Sequence, residues 1–175
     1  MTFRSLATAV AMLAVCALPA SAQLSLSVAA GVNAPINSLA DLAETGYNVA
    51  AGLNVNSSGL PVGLKIEGAY NGLQLRGPGG DVRIITGTAN AVFNVGKTPN
   101  APYLIAGLGA YSRRITDAVG NTGDKTVFGI NGGGGLRFPL SGISTFLEAR
   151  IHFMLGDKSD AADFQFIPVT FGIVF

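Results

Sequence analysis

The last twelve residues, Phe164-Gln165-Phe166-Ile167-Pro168-Val169-Thr170-Phe171-Gly172-Ile173-Val174-Phe175, alternate between two unlike faces. Gln165, Ile167, Val169, Phe171, Ile173 and Phe175 share one face, and five of these six are large and apolar. The other face carries Phe164, Phe166, Pro168, Thr170, Gly172 and Val174. A period of two marks a strand, because successive side chains leave a pleated backbone on opposite sides. Pro168 has no N–H to give to a ladder, so a break in the pairing of this strand with the first is expected there.

The block just upstream, Ile143–Leu155, sharpens the contrast between faces. Thr145, Leu147, Ala149, Ile151, Phe153 and Leu155 point one way; Ser144, Phe146, Glu148, Arg150, His152 and Met154 point the other. Working back, the same alternation fills Leu24–Asn33, Gly46–Asn56, Pro61–Asn71, Val82–Val95, Pro102–Ser112 and Lys125–Phe138, giving eight blocks in all. In each block but one, the larger apolar residues gather opposite the polar ones. Leu24, Leu26, Val28 and Val32 oppose Ser25, Ser27 and Asn33. Tyr47, Val49, Leu53 and Val55 oppose Asn48, Asn54 and Asn56. Val62, Leu64, Ile66, Gly68 and Tyr70 oppose Lys65 and Glu67. Ile85, Ala89, Ala91, Phe93 and Val95 oppose Thr86, Thr88, Asn90 and Asn94, while Phe128, Ile130, Leu136 and Phe138 oppose Asn131 and Arg137. In Pro102–Ser112, Leu104 and Leu108 compete with Tyr103 and Ile105, and the facing stays open.

The connections between blocks alternate long and short, roughly 8–12 residues against roughly 4–6, as in a membrane barrel with long loops at one end and tight turns at the other. The charges follow the same division. Asp41, Glu44, Arg76, Asp81, Arg113, Arg114, Asp117, Asp124, Asp157, Lys158, Asp160 and Asp163 fall in long connections, and Lys97 in a short one. Within a membrane strand, an arginine facing lipid near the midplane costs about 2–4 kcal/mol. Glu148, Arg150 and His152 must then face inward, and the apolar face is the lipid contact. A soluble barrel would show the reverse. Glycines at 52, 87, 107, 109 and 132–135 suit tight curvature.

Composition agrees. Of 175 residues only 12% are charged, about half the soluble average of roughly 25%, while mean hydropathy is +0.44. Eleven basic against ten acidic residues leave no basic excess for nucleic acid. Part of the apolar excess lies at the start of the chain. Arg4, the apolar run Leu6–Leu18, Pro19 and the small-residue site Ala20-Ser21-Ala22 before Gln23 read as a cleaved secretory signal over residues 1–22. Residues 23–175 then form the barrel domain. The single Cys16 falls in the signal's apolar core, so no disulfide or cysteine metal site is expected.

At this point the chain resembles the small eight-stranded outer-membrane β-barrel family of OmpA/OmpX type. The resemblance rests on the terminal strand, with Phe171, Ile173 and Phe175, and on Gly132–Gly135 with Leu136 and Arg137, followed by Phe146-Leu147-Glu148-Ala149-Arg150. It implies an all-β, eight-stranded antiparallel up-and-down transmembrane barrel in the bacterial outer membrane, reached through the periplasm. It implies that Phe171, Ile173 and Phe175 are read by the barrel-assembly machinery. It carries over no catalytic residue, no metal and no cofactor. The loops are then the working surface, in a structural, anchoring or surface-interaction role toward an unidentified partner, with lipid around the wall.

Eight strands enclose space just wide enough for side chains. Lys65, Glu67, Asn90, Arg137, Glu148, Arg150 and His152 are the expected interior polar network, since buried charges persist only when paired. A plug that holds barrel shape is one reading; a narrow porin-like channel for ions or small solutes is the alternative. A secreted lipocalin-like binding barrel is a further one, opposed by the outward Ile167, Val169, Phe171 and Ile173. His152 suggests catalysis only with a nucleophile in reach, and nothing places Ser112 or Ser144 beside it; the chain reads as no enzyme. Gly132–Gly135 lacks the Lys and Ser/Thr of a phosphate loop. Tyr47, Tyr70, Tyr111 and Phe153 near one end, and Phe93, Tyr103, Phe138 and Phe175 near the other, suggest two aromatic girdles, against ordinary strand enrichment in aromatics. Ser38–Glu44 is expected to form one helical turn capped by Ser38, as a lid or a loop filler.

Overall fold

A computed structural model describes residues 22–57, 62–77, 79–96, 98, 100–120, 122–140, 143–155 and 164–175. The expected signal lies outside these residues except for Ala22; so do Lys97 and the charges at 157, 158, 160 and 163. The elements are β1 (Ala22–Ile36), α1 (Ser38–Leu42), β2 (Gly46–Ser57), β3 (Val62–Gln74), β4 (Gly80–Asn94), β5 (Pro102–Asp117), β6 (Thr122–Leu140), β7 (Ile143–Leu155) and β8 (Gln165–Val174). Each strand pairs with the next, and β8 returns to β1, so the sheet closes as a barrel and keeps no open edge. Closure is completed by Phe175, whose N–H donates to the Leu26 carbonyl at 2.8 Å while the Leu26 N–H donates to the Phe175 carbonyl at 3.1 Å.

Parity follows the alternation. Leu24, Leu26, Ile66, Ile85, Phe93, Ile130, Leu147 and Phe171 are exposed on the outer wall, where an apolar surface belongs against lipid. Lys65, Glu67, Asn90, Glu148, Arg150 and His152 are buried inside. The open case resolves too: Leu104 and Leu108 face out, and Tyr103 and Ile105 face in. Three positions of outer parity are nevertheless covered, among them Gly72, which lies under the Tyr47 ring. Val55 is 9% exposed and lies between its register partners Leu24 and Leu64. Thr145 is 4% exposed, and its hydroxyl donates to the Phe138 carbonyl of the adjoining strand at 2.6 Å.

Four features differ from the sequence expectation. The connection expected over 72–81 is strand up to Gln74 and again from Gly80, and that over 113–124 is strand up to Asp117 and from Thr122. The ladder continues past the apolar band because charged side chains are tolerated once the strand has left lipid. Charges therefore mark the edge of the membrane, not the end of a strand. Pro168 keeps its partner Asn33 in the unbroken β1–β8 ladder. The break falls on the β7 side, where pairing stops at Ala149↔Val169 and resumes at His152↔Phe166 in the same register. Asn37, not Ser38, is the N-cap residue of α1; its φ is 50° and its side chain makes no capping bond.

The fourth difference lies in the lumen, which is apolar at both ends and polar between. At the loop end, Leu39 and Ala43 of the α1 segment pack with Leu73, Val82, Ile84, Tyr111, Met154, Phe164 and Phe166. At the turn end, Val92, Tyr103, Ile105 and Phe146 form a second cluster. The α1 segment is fastened over the mouth by Arg76, whose Nε donates to the Ala40 carbonyl at 2.8 Å, and by Asn37 Nδ2 donating to Gln165 Oε1 at 2.6 Å.

Candidate functional site

The polar layer is built by strand pairing. Register sets Lys65 beside Asn90, and Asn131 beside His152, all on inward parity. Lys65 Nζ lies 2.6 Å from Glu67 Oε2 and 3.5 Å from Glu148 Oε1. Arg150 Nε lies 2.9 Å from Glu148 Oε1, and Arg150 Nη2 also binds Glu67 Oε1. Each carboxylate thus touches both cations, and the four charges cancel. Such reciprocity is what buried ions require, since desolvation outweighs a single imperfect pair. The Tyr103 hydroxyl donates to the remaining Glu148 oxygen at 2.7 Å. Lys65 also sits 4.9 Å from the Phe146 ring centroid, within cation–π range.

The other expected interior residues attach at the margins of this tetrad. Asn90 donates through Nδ2 to the Lys65 carbonyl at 3.1 Å, and its Oδ1 accepts from Asn131 Nδ2 at 2.9 Å. Arg137 stands nearer the turn end, donating to Asn94 Oδ1 at 2.5 Å and stacking on Tyr103 at 4.9 Å. His152 makes no ion pair with Glu148. Its Nδ1 shares a hydrogen bond of 3.0 Å with the Tyr111 hydroxyl, and its ring stacks on Phe166 at 4.8 Å. Sequence reasoning overlooked a second polar knot: Asn33 and Asn48 both donate to Asn71 Oδ1, at 3.1 and 2.7 Å, and Asn71 donates to the Ile84 carbonyl. Its signal was present as inward asparagines on three neighbouring strands.

Tyr103 and Tyr111 do not belong to a girdle. Both rings are interior, Tyr111 at 0% exposure, because each strand parity points them at polar partners, Glu148 and His152 respectively. Tyr47, Phe93, Phe138 and Phe175 are exposed on the outer wall, and Tyr70 and Phe153 are half-buried there. Phe171 and Phe175 face outward, with Ile173 half-buried on the same parity.

Large interior rings fit because glycine lies beneath them. A Cβ on Gly135 would overlap the Tyr103 ring, one on Gly172 the Phe146 ring, and one on Gly129 would fall 2.6 Å from the Tyr111 ring. The remaining space near the tetrad is about 30 Å³, bounded by Lys65, Glu148, Tyr103, Arg137 and Phe146, room for about two waters. Beyond the apolar band, Arg114 Nε and Nη2 hold Asp124 at 2.7 and 2.8 Å. That bond keeps the Asp124 carboxyl below its ordinary range. Among the described residues no group of His, Cys, Asp and Glu is arranged to hold a metal ion.

A closed eight-stranded sheet, apolar outside and charged within, defines a transmembrane barrel of the outer-membrane class. The chain belongs to the outer membrane protein beta-barrel domain family, whose model matches residues 7–175. It resides in the bacterial outer membrane, in contact with lipid. No curated protein matches it in sequence. Its fold is similar to that of Neisserial surface protein A, with TM-score 0.70 and 14% identity over 87% of this chain and 97% of that one. The N-terminal beta-barrel domain of Pseudomonas aeruginosa OprF gives TM-score 0.49 and 16% identity, covering 88% and 99%. Ail, the attachment invasion locus protein of Yersinia pestis, solved with the heparin analogue sucrose octasulfate, gives 0.49 and 17%, covering 88% and 97%.

Proposed function

We propose that this barrel is a non-conducting element of the outer membrane, serving a structural, anchoring or surface-interaction role through its outer rim. The observation that carries this reading is the filled lumen. An ion crossing it meets the α1 plug, a neutral tetrad in which every charge is paired, and the Tyr103–Phe146 cluster. Opening a path through the tetrad means separating buried ion pairs, at about 3–5 kcal/mol when a partner is lost. In planar bilayers the purified protein is expected to give no conductance steps. Discrete steps that change in Arg150→Ala or Glu148→Ala would overturn the reading in favour of the narrow channel.

Insertion depends on the terminal strand, with Phe171, Ile173 and Phe175 as the assembly signal. Deleting Phe175 removes both backbone bonds to Leu26 that finish the β1–β8 seam, together with an outward ring. The expected result is loss of most of the heat-modifiable band from the outer-membrane fraction, with Phe175→Trp retaining it. Wild-type insertion of the truncation removes this role.

A further inference from the structure

Two adjoining grooves mark the outer wall, and the filled lumen accounts for neither. The upper groove, about 520 Å³, opens at the loop end of β2, β3 and β4 and is bordered by Tyr47, Tyr70, Gln74, Asp81 and Arg83. The two tyrosine rings stack with centroids 5.9 Å and planes 26° apart. Tyr47, 56% exposed, lies across Gly72, where an added Cβ would fall 2.7 Å from its ring. Gly72 is therefore the gap that lets the ring lie flat. The lower groove, about 430 Å³, is bordered by Val49, Ala51, Gly68, Tyr70 and Ile85. Register sets Ala51 beside Gly68, so the wall is shallow there. Tyr70 joins the two grooves.

Polar above and apolar below is the outline of an amphiphile. The lower groove is continuous with the lipid-facing wall, so an acyl chain enters it without leaving the bilayer. The upper groove selects the headgroup. Arg83 Nε holds Asp81 Oδ2 at 2.6 Å, which balances the local charge and leaves a bare anion little net attraction. A polyhydroxylated neutral head uses everything present. Its hydroxyls donate to the carboxylate, accept from guanidinium and amide, and its C–H face lies on an exposed ring. We infer that Tyr47, Asp81 and Arg83 form a headgroup site for a glycolipid, whose acyl chain lies over Ala51 and Gly68. The inference rests on the lipid-facing wall and is independent of whether the lumen conducts.

The test is a titration of ¹⁵N-labelled protein, refolded in dodecylphosphocholine micelles, with dodecyl maltoside and separately with maltose. Dodecyl maltoside is expected to give saturable shifts at the amides of Tyr47, Tyr70, Gly72 and Arg83, with maltose binding at least about tenfold more weakly. Tyr47→Ala and Asp81→Asn should each weaken both probes about tenfold. Ala51→Leu, which fills the lower groove, should weaken dodecyl maltoside alone, and Leu147→Ala, exposed on β7 across the barrel from β3, should alter neither. The same spectra report whether each variant is folded. Shifts spread evenly over the wall, or unchanged by both headgroup variants, overturn the site. Equal affinity for the two probes overturns the acyl-chain half.

Discussion

Glu148→Ala is expected to destabilise the barrel by about 3–5 kcal/mol, the range for leaving a buried charge without its partner. Glu148 is 2% exposed and holds Lys65, Arg150 and the Tyr103 hydroxyl. Without it, two cations share Glu67 alone, and the Tyr103 hydroxyl loses its acceptor. The loss is a large share of a total stability of about 5–15 kcal/mol. Urea unfolding of protein refolded into lipid vesicles, read from the compact band on unboiled gels, measures it. Glu148→Ala combined with Arg150→Ala restores neutrality and leaves the 2.6 Å Lys65–Glu67 pair intact. The double variant should be less destabilised than the two single losses added, by at least about 1 kcal/mol. A single-variant effect below about 1 kcal/mol, or strict additivity, would show that the tetrad does not act as a unit.

Which face meets lipid was legible in the sequence because lipid penalises charge so heavily. One Arg150 or Lys65 orients a whole strand. Strand β5 has neither a charge nor an asparagine between Pro102 and Ser112, so its sequence leaves the facing open, and the girdle expectation sets Tyr103 and Tyr111 on the wrong wall. The true side of Tyr103 is set by a contact with Glu148, 45 residues away in sequence. Parity also says nothing about depth. Phe146 and Phe166 share the inward face with Glu148 and Thr170, yet the alternation does not say that apolar layers close both ends of the lumen. Pro168 shows the same limit: its missing N–H announces a lost rung, but alternate residues of an antiparallel strand bond to opposite neighbours, so the neighbour affected stays undetermined. Paired charges were expected and the four partners lie together, but the sequence carried no sign that His152 would turn to Tyr111 and Phe166 instead.

The glycine run of β6 provides the sharpest contrast between neighbouring positions. Gly132 points to lipid, and a Cβ there meets nothing nearer than the Ile105 carbonyl oxygen at 3.9 Å. Gly133 points inward, where a Cβ would overlap the Ala149 carbonyl oxygen and fall 2.7 Å from Arg150 Cα. Those are backbone atoms in a closed ladder and cannot rotate aside as a side chain would. Gly132→Val adds a β-branched apolar group to the lipid face and is expected to change stability by no more than about 1 kcal/mol. Gly133→Val must push β6 from β7 opposite Arg150, and the expected loss is about 3 kcal/mol, the upper end for overpacking, or failure to refold. The two variants have the same composition and differ by one position in sequence. Their refolding yield and urea midpoint therefore read the inward–outward alternation directly, and equal effects would contradict the facing of β6 on which the interior assignment of Asn131 and Arg137 depends.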